Sequence, residues 1–528
     1  MGGDIDPNSK LTDSKAFLII VKCFVGGGML SLPFALAHAG LVLGVSCLLI
    51  FALMSIQGIL MLAECSQLLQ REKNFRVGTY PQLAAVVSGS KFFGSFVSLT
   101  VCLTQLGVCC VMVNFVATNI LAILPCETRN RIVVTHGNDE EEYIKIIEEP
   151  QCFGMEPLPA KRSIIGMVLP VFIALSWLPS MKALAPLAKV ANYFMMFTIL
   201  VIMFYAARSY YYVGLATSCV AWPTSLESFS LFIGNCFYSF EGVATMIPLC
   251  AAMENQGSVK RVMRNALFCI LGLQLTVAVA CYVSFQDIDN ASMTAVLASN
   301  RRIEVPIYTV LVTNCFVITA VVFTFPLQLF PAMQLLESFF GIGKKPPAHA
   351  APDEQAKKLS GAEEQADGEG PVGKGAYDLD YDDPDPFRRS PYADPFDRQL
   401  IAPYADSDDD EFTDGHYHVA EKTARCLPCC QLVFRTFVVI MIGGITYMIP
   451  DLGLIVDLFG AVFGSTLAII VPNYLSIKSA RLMSDPSDIA KQNSAKCRKM
   501  FVMFIVFCCA LLATKAVLAE MQSGEVHA

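Results

Sequence analysis

The sequence predicts an all-α membrane protein organised around two interrupted helices, and three observations lead to that fold class. Of the 528 residues, 54% are hydrophobic and only 16% are charged, which is too apolar for a soluble protein of this size. Eleven apolar stretches approach the roughly 20 residues that a helix needs to cross a hydrocarbon core about 30 Å thick. Two of these stretches, five helices apart, contain glycines where a plain membrane helix would have none.

The eleven stretches are predicted as helices one to eleven. They cover approximately residues 16–37, 41–63, 92–122, 163–178, 184–207, 225–250, 264–285, 305–328, 433–449, 452–475 and 500–518. The predicted organisation is a cytoplasmic tail (1–15), helices one to eight (16–340), an acidic cytoplasmic segment (341–425), helices nine to eleven (426–519) and an outside or lumenal tail (520–528).

Helix one, VKCFVGGGMLSLPFALAHAG, combines Gly26, Gly27 and Gly28 with Pro33. Glycine lowers the cost of unwinding, and proline removes a backbone hydrogen bond. Unwound backbone within a membrane faces protein or a water-filled cavity, so the break is a candidate binding site. The alternative is a kinked structural helix, since glycine and proline are common in membrane helices.

The orientation of the chain follows from its basic residues, which concentrate in cytoplasmic segments. With a cytoplasmic N-terminus, the short inside segments hold 17 Lys and Arg residues and the outside segments hold 9. This orientation puts Cys126 and Cys152 outside, where they are able to form a disulfide. It also puts the sequon at Asn290 outside, although one sequon arises easily by chance.

Helix six, LFIGNCFYSFEGVATMIPLCAAMEN, carries the intramembrane carboxyl group of Glu241 beside Gly242. Ionisable groups inside a membrane are costly and are often functional, and a carboxyl group removed from water takes up a proton more readily. The alternative for Glu241 is a structural hydrogen bond. Two glycine-interrupted helices of opposite orientation indicate an inverted repeat with a site at mid-membrane.

The acidity of the chain belongs to residues 341–425, which hold 20 Asp and Glu against 10 Lys and Arg. The segment has too few apolar residues to offset the entropy cost of ordering, so it is predicted to be disordered. It is either a solvated linker or the binding region of a cytoplasmic regulator.

Several motifs resemble the amino acid/auxin permease family. Helix one matches the pattern G-x-G-[ILM]-L-x-x-P-x-A-x-x-x-A-G from Gly26 to Gly40. Similar segments are YPQLAAVVSG at 80–89, FYSFEG with MEN in helix six, FPLQLFP at 325–331 and VDLFGAVFGSTLAIIVP at 456–472. The resemblance implies a LeuT-type fold of two five-helix inverted repeats, plus an eleventh helix.

The resemblance implies that the substrate is an amino acid held between helices one and six. The expected substrate-binding residues are Gly26, Gly27, Gly28, Met29, Ser239, Phe240 and Gly242. The expected proton-coupling residues are Glu241, Lys22 and Asp457. The alternative for Lys22 is a side chain that reaches the cytoplasm, and for Asp457 a place at the outer surface.

In sodium-coupled members of that family, an asparagine of helix one contributes to the sodium site, and Lys22 aligns with it. A fixed ammonium there would repel sodium by several kcal/mol at an effective dielectric of about 20. Proton-coupled animal members share this lysine and carry a histidine three residues earlier, where this chain has Ile19. The resemblance therefore favours Glu241 as the proton carrier.

These features favour secondary transport by alternating access, with a proton as the coupling ion. The six histidines and the motifs present indicate no enzyme, metal site, other cofactor or nucleic-acid partner. Two other classes stay open: an amino-acid sensor that signals through residues 341–425, and a pore, for which helices three, seven and eleven lack a polar stripe. The plasma membrane and a vacuolar or lysosomal membrane both fit.

Overall fold

The computed structural model describes most of the chain outside the acidic segment. The described residues are 11–73, 77–124, 127–136, 142–151, 160–178, 181–223, 225–286, 288–299, 302–340, 342, 429–449, 451–482 and 489–526.

The first half of the described chain contains seven helices and one antiparallel hairpin. In chain order they are α1 (Asp13–Phe24), α2 (Gly27–Ala39), α3 (Leu41–Lys73), α4 (Tyr80–Ser88), α5 (Lys91–Ile123), β1 (Glu127–His136), β2 (Glu142–Gln151), α6 (Ala160–Ser176) and α7 (Met181–Val213).

The second half is helical throughout its described residues. It contains α8 (Leu226–Ser239), α9 (Val243–Ala252), α10 (Val259–Ser284), α11 (Met293–Ser299), α12 (Ile307–Phe339), α13 (Cys429–Met448), α14 (Leu452–Phe459), the π-helical segments π1 (Gly460–Gly464) and π2 (Thr466–Ile470), α15 (Val471–Leu482) and α16 (Ile489–Val526).

Each of the eleven predicted helices coincides with one helix or with consecutive helical segments of the structure. Eight described helices are long and apolar enough to cross a membrane, and the bent pair of α1 and α2 would make nine. The short α6 and the interrupted α8 and α9 fall outside that count. The helical membrane fold is therefore confirmed, whereas eleven crossings and the five-plus-five repeat stay predictions.

Two features extend the predicted elements. Between α5 and α6, β1 pairs with β2 in an antiparallel hairpin from Glu127↔Gln151 to His136↔Glu142, beside the helical membrane fold. Residues 131–135 (RIVVT) and 143–147 (YIKII) are rich in the β-branched and aromatic residues that favour strands. Helix two also continues to Lys73, ten residues beyond its predicted end, because backbone hydrogen bonds continue where the apolar side chains stop.

The N-terminal ends of several helices are fixed by side-chain caps. Thr79 accepts a hydrogen bond from the backbone N–H of Gln82 at the start of α4, and Ser90 caps α5 in the same way. Asp451 caps α14 by accepting the Leu454 N–H at 3.0 Å. These caps satisfy donors that have no partner within the helix.

The transition from α14 to the π-helical segments is packed unusually closely. A Cβ added at Gly460 would lie 1.9 Å from the carbonyl oxygen of Gly234 in α8, so only glycine fits there. On another face, the Phe459 ring occupies the space that a side chain at Gly107 of α5 would need. Tyr80 of α4 donates its hydroxyl to the Leu467 carbonyl of π2 at 3.0 Å.

A buried ion pair joins α12 to α13, the two helices between which the acidic segment lies. Arg435 Nε donates to Glu337 Oε1 at 2.8 Å, and its Nη1 donates to the carbonyls of Ser176 and Leu178 at the end of α6. Because the charges are paired and further hydrogen-bonded, their burial is tolerated. This cluster fixes the ends of three helices.

Candidate functional site

The first break separates α1 from α2, which are bent by 48° relative to one another. The α1 helix ends at Phe24 and α2 begins at Gly27. Gly26 has extended backbone, and its carbonyl accepts the Met29 N–H at 3.1 Å. Pro33 stays inside α2, so the glycines and not the proline determine where the helix is interrupted.

The second break separates α8 from α9 at residues 240–242. Gly242 has φ +136°, a conformation that residues with a side chain rarely adopt. Its carbonyl accepts the Thr245 hydroxyl at 2.7 Å, while the Glu241 N–H bonds to the Tyr238 carbonyl at 3.0 Å. These hydrogen bonds hold the unwound backbone in a defined shape.

The two broken helices run antiparallel and meet near their breaks. At one end, the Leu11 N–H donates to the carbonyl of Ala252, the last residue of α9. At the other end, Ser228 of α8 donates to the His38 carbonyl of α2. Between these ends, a Cβ added at Gly28 would lie 3.2 Å from the Ser239 Cα.

This crossing brings the N-terminal end of α2 against the C-terminal end of α8. The N-terminal end of a helix carries a partial positive charge, and the C-terminal end carries a partial negative one. The meeting point can therefore bind a group of each sign, which a zwitterion supplies.

Aromatic side chains cover both breaks. The Phe24 and Phe240 rings are 6.5 Å apart between centroids, and a Cβ added at Gly242 would lie 3.3 Å from the Phe24 ring. Phe24, Phe240 and Met29 are all buried. The structure thus brings Gly28 against Ser239 and Gly242 against Phe24, whereas Gly26 and Gly27 face open space.

Two glutamines that the sequence analysis missed contact the second break. Gln105 of α5 donates its Nε2 to Glu241 Oε1 at 3.2 Å. Gln274 of α10 donates its Nε2 to the Ser239 carbonyl at 2.9 Å, and that carbonyl is one of those released where α8 ends. Each glutamine interrupts an apolar run of a membrane helix, and each is buried in the structure. An amide side chain within such a run is the signal that the sequence offered.

Asp457 lies in α14, away from Glu241. Its side chain is 2% exposed and packs where α14 meets α8, since a Cβ at Gly234 would lie 2.7 Å from the Asp457 Cα. Its Oδ1 has no hydrogen-bond partner among the described residues. The alternative that placed Asp457 at the outer surface is therefore wrong, because α14 already begins at Leu452 and carries this residue inward.

A buried polar group connects α2 to α8 beside Asp457. The Ser31 hydroxyl donates to Asn235 Oδ1 at 3.0 Å, and the side chain and backbone of Asn235 hydrogen-bond to the Asp457 carboxyl group. Asn235 follows Gly234 directly, so it belongs to the same contact with α14. The sequence analysis did not single out Ser31 or Asn235.

The other predicted site residues differ in where they lie. Lys22 is in the last turn of α1, where its carbonyl accepts the Val25 N–H at the first break, and its side chain is exposed. Asn290 is partly exposed and accepts the Ser292 N–H at 2.9 Å, just before α11. Cys126 and Cys152 lie outside the described residues. Within those residues, no three His, Cys, Asp or Glu side chains form a group that could hold a metal ion.

Comparison with protein families gives one match that covers nearly the whole chain. Residues 9–521 match the family described as transmembrane amino acid transporter protein.

Curated relatives share between 23% and 26% identity with the chain. Vacuolar amino acid transporter 4 of Saccharomyces cerevisiae is 24% identical over 344 residues, and vacuolar amino acid transporter 3 of the same yeast is 26% identical over 337 residues. These matches cover 63% and 62% of the chain, but only 42% of each relative, so the chain spans less than half of their length. The proton-coupled amino acid transporter-like protein pathetic of Drosophila melanogaster is 23% identical over 350 residues, 63% of the chain and 67% of the relative.

Proposed function

The chain belongs to the transmembrane amino acid transporter family, and we propose that it is a secondary transporter that moves amino acids by alternating access. The members of this family are transporters and not enzymes. The substrate lies between the breaks of the two broken helices. In this proposal its carboxylate faces the backbone N–H groups at the start of α2, and its ammonium faces the carbonyls at the end of α8.

The observation that carries this proposal is the crossing at Gly28 and Ser239, where two antiparallel broken helices meet. Unwound backbone in both helices supplies recognition groups that a continuous helix would use internally. The family's five-plus-five repeat and eleven crossings belong to the same proposal, in which rocking of one helix bundle opens the site to either side.

We also propose that transport is independent of sodium and coupled to protons at Glu241. This carboxyl group is at the second break, bonded to Gln105, and is therefore adjacent to the proposed substrate site. Lys22 supplies the positive charge that opposes sodium. Relatives named as a vacuolar amino acid transporter and as a proton-coupled amino acid transporter-like protein support a vacuolar membrane and proton coupling in this proposal.

Counterflow in liposomes tests the transport proposal. The purified protein is reconstituted with one unlabelled amino acid inside, and entry of each labelled amino acid is measured with and without an imposed pH gradient. We expect accumulation of at least one amino acid. Binding of an amino acid with no counterflow by correctly folded protein would instead make the chain a sensor that acts through residues 341–425.

A matched pair of variants tests the coupling proposal. Glu241→Gln retains hydrogen bonding but cannot ionise, and we expect uptake that no longer responds to acidity. Glu227→Gln removes an exposed carboxylate from the first turn of the same broken helix, and should leave the pH response unchanged. If uptake by Glu241→Gln still responds to acidity as in the native protein, Glu241 does not carry the proton and has only a structural role.

Sodium independence is tested in the same vesicles. Uptake by the native chain should be equal in sodium and potassium, whereas Lys22→Asn is expected to gain a response to sodium. A sodium requirement in the native protein would contradict the role proposed for Lys22.

The proposed topology places the N-terminus and residues 341–425 in the cytoplasm. An epitope with a protease site at residue 380 should be protected in sealed right-side-out vesicles. A disulfide between Cys126 and Cys152 and a glycan at Asn290 belong on the outer side. Cleavage at residue 380 from outside would reverse the whole assignment.

A further inference from the structure

A cavity with polar and apolar walls lies away from the two breaks, between α3, α15 and α16. Its volume is about 260 Å³, and its wall includes Gln57, Met61, Asn473, Arg498, Lys499 and Val502. Pockets that enclose a drug-sized ligand usually measure about 300–1,000 Å³. This cavity therefore suits one polar fragment of a larger molecule.

Two cations face this cavity from one end of α16. Lys499 Nζ donates to the Ser476 hydroxyl of α15 at 2.6 Å, which positions the ammonium across the space between the two helices. Arg498 is exposed. No carboxylate of the described residues lies within ion-pair distance of either cation. Glu64 of α3 pairs with Lys260 and also attracts Lys499 from a greater distance.

The cavity lies at the depth expected for lipid headgroups. Arg498 and Lys499 directly precede the apolar run of α16, in which Phe501 and Phe504 are each 64% exposed and would face lipid chains. The Glu64–Lys260 pair links this part of α3 to the start of α10. The cavity is thus on the side of the membrane where α10 begins, which is also the side of the chain's N-terminal segment.

We propose that this cavity binds the phosphate-bearing headgroup of an anionic membrane lipid. The guanidinium of Arg498 offers planar donors to phosphate oxygens, and Lys499 adds a second positive charge. The amide of Gln57 suits a headgroup hydroxyl, while Asn473 in the wall donates its Nδ2 to the Ile469 carbonyl. Met61 and Val502 give the apolar contact that a lipid's glycerol and upper chains need. Basic pockets between membrane helices are a known form of lipid recognition.

A simpler explanation for Arg498 and Lys499 is a general attraction to the membrane surface, because Lys and Arg at helix ends commonly reach lipid headgroups. Arg261 and Arg264 provide the matched comparison. Both are exposed at the start of α10 on the same side of the membrane, so their removal changes the net charge equally without altering the cavity.

Lipid binding to the full chain in phosphatidylcholine nanodiscs tests the proposal, with a phosphatidylinositol phosphate as the probe and native mass spectrometry as the readout. Arg498→Gln with Lys499→Gln is expected to weaken binding by about tenfold or more, because it removes two favourable charge interactions with the anionic headgroup. Arg261→Gln with Arg264→Gln should stay within about twofold of the native protein. Arg498→Lys with Lys499→Arg retains both charges and should retain binding, and the melting temperature of each variant shows whether it has folded.

Three results would overturn the proposal. Equal losses in the two glutamine pairs would indicate general surface charge. Equal retention of unlabelled phosphatidylcholine and the anionic probe would show that charge is not recognised. Binding of inorganic phosphate or soluble inositol phosphate as strongly as the lipid would assign the cavity to a free phosphate compound, and for a lipid site we expect the soluble compounds to bind much more weakly.

Discussion

The two breaks differ in how much protein surrounds the unwound backbone. At the first break, a Cβ added to Gly26 or Gly27 would meet no atom within 4 Å. At the second break, Gly242 has a positive φ, and a Cβ added there would lie 3.3 Å from the Phe24 ring. Gln105 donates to Glu241, and Gln274 donates to the Ser239 carbonyl. The first break therefore has space for a ligand, whereas the second has a backbone shape that the surrounding protein imposes.

The largest effect of this difference is expected at Gly242. Gly242→Ala forces a side chain into a backbone conformation that costs about 3 kcal/mol, and the new methyl group approaches the Phe24 ring. We expect a marked fall in thermal stability in detergent and little folded protein. Gly26→Ala is the matched control, and equal melting temperatures of the two variants would contradict the difference between the breaks.

Loss of the Gln274 side chain is expected to have the next largest effect. Gln274→Ala removes the partner of the Ser239 carbonyl, and a buried polar group without its partner costs about 2 kcal/mol. Stability and transport should both decrease. Thr276→Ala changes an exposed residue of the same helix, and it should behave like the native protein in the same melting experiment.

A smaller effect is expected where the two broken helices cross. Gly28→Ala places a methyl group 3.2 Å from the Ser239 Cα and 3.3 Å from the Tyr238 ring, and we expect overpacking of about 1 kcal/mol. The added methyl group pushes the two helices slightly apart at the proposed substrate site. We therefore expect a clear fall in the uptake rate and only a small fall in the melting temperature. Native transport together with native stability would show that the crossing is looser than the structure indicates.

The smallest effect on stability is expected at Gly26. Its extended backbone is open to any residue and its surroundings are empty, so Gly26→Ala should change unfolding by less than about 0.5 kcal/mol. If the space holds substrate, the same methyl group should raise the KM for uptake. An unchanged KM would move the substrate away from the first break.

The positions of both breaks could be predicted from sequence because glycine runs and a lone carboxylate are visible without a structure. The partners of the second break could not, since a single glutamine such as Gln105 or Gln274 has many arrangements in an apolar helix. Asp457 was found, but its burial depends on α14 beginning at Leu452, and helix ends are not fixed by apolar patterns. The hairpin of β1 and β2 had a usable signal in its β-branched residues.

The π-helical segments π1 and π2 have a consequence for how the gene can change in length. Their hydrogen bonds reach one residue further along the chain than those of an α-helix, so such a segment accommodates an extra residue within a continuous helix. Deleting one residue from a regular α-helix would turn every later side chain by about 100° about the helix axis. Deleting it from a π-helical segment instead restores α-helical bonding, because the segment holds the extra residue locally. The later side chains of α15, including Asn473 and Ser476, then keep their directions, and Ser476 stays within hydrogen-bond reach of Lys499.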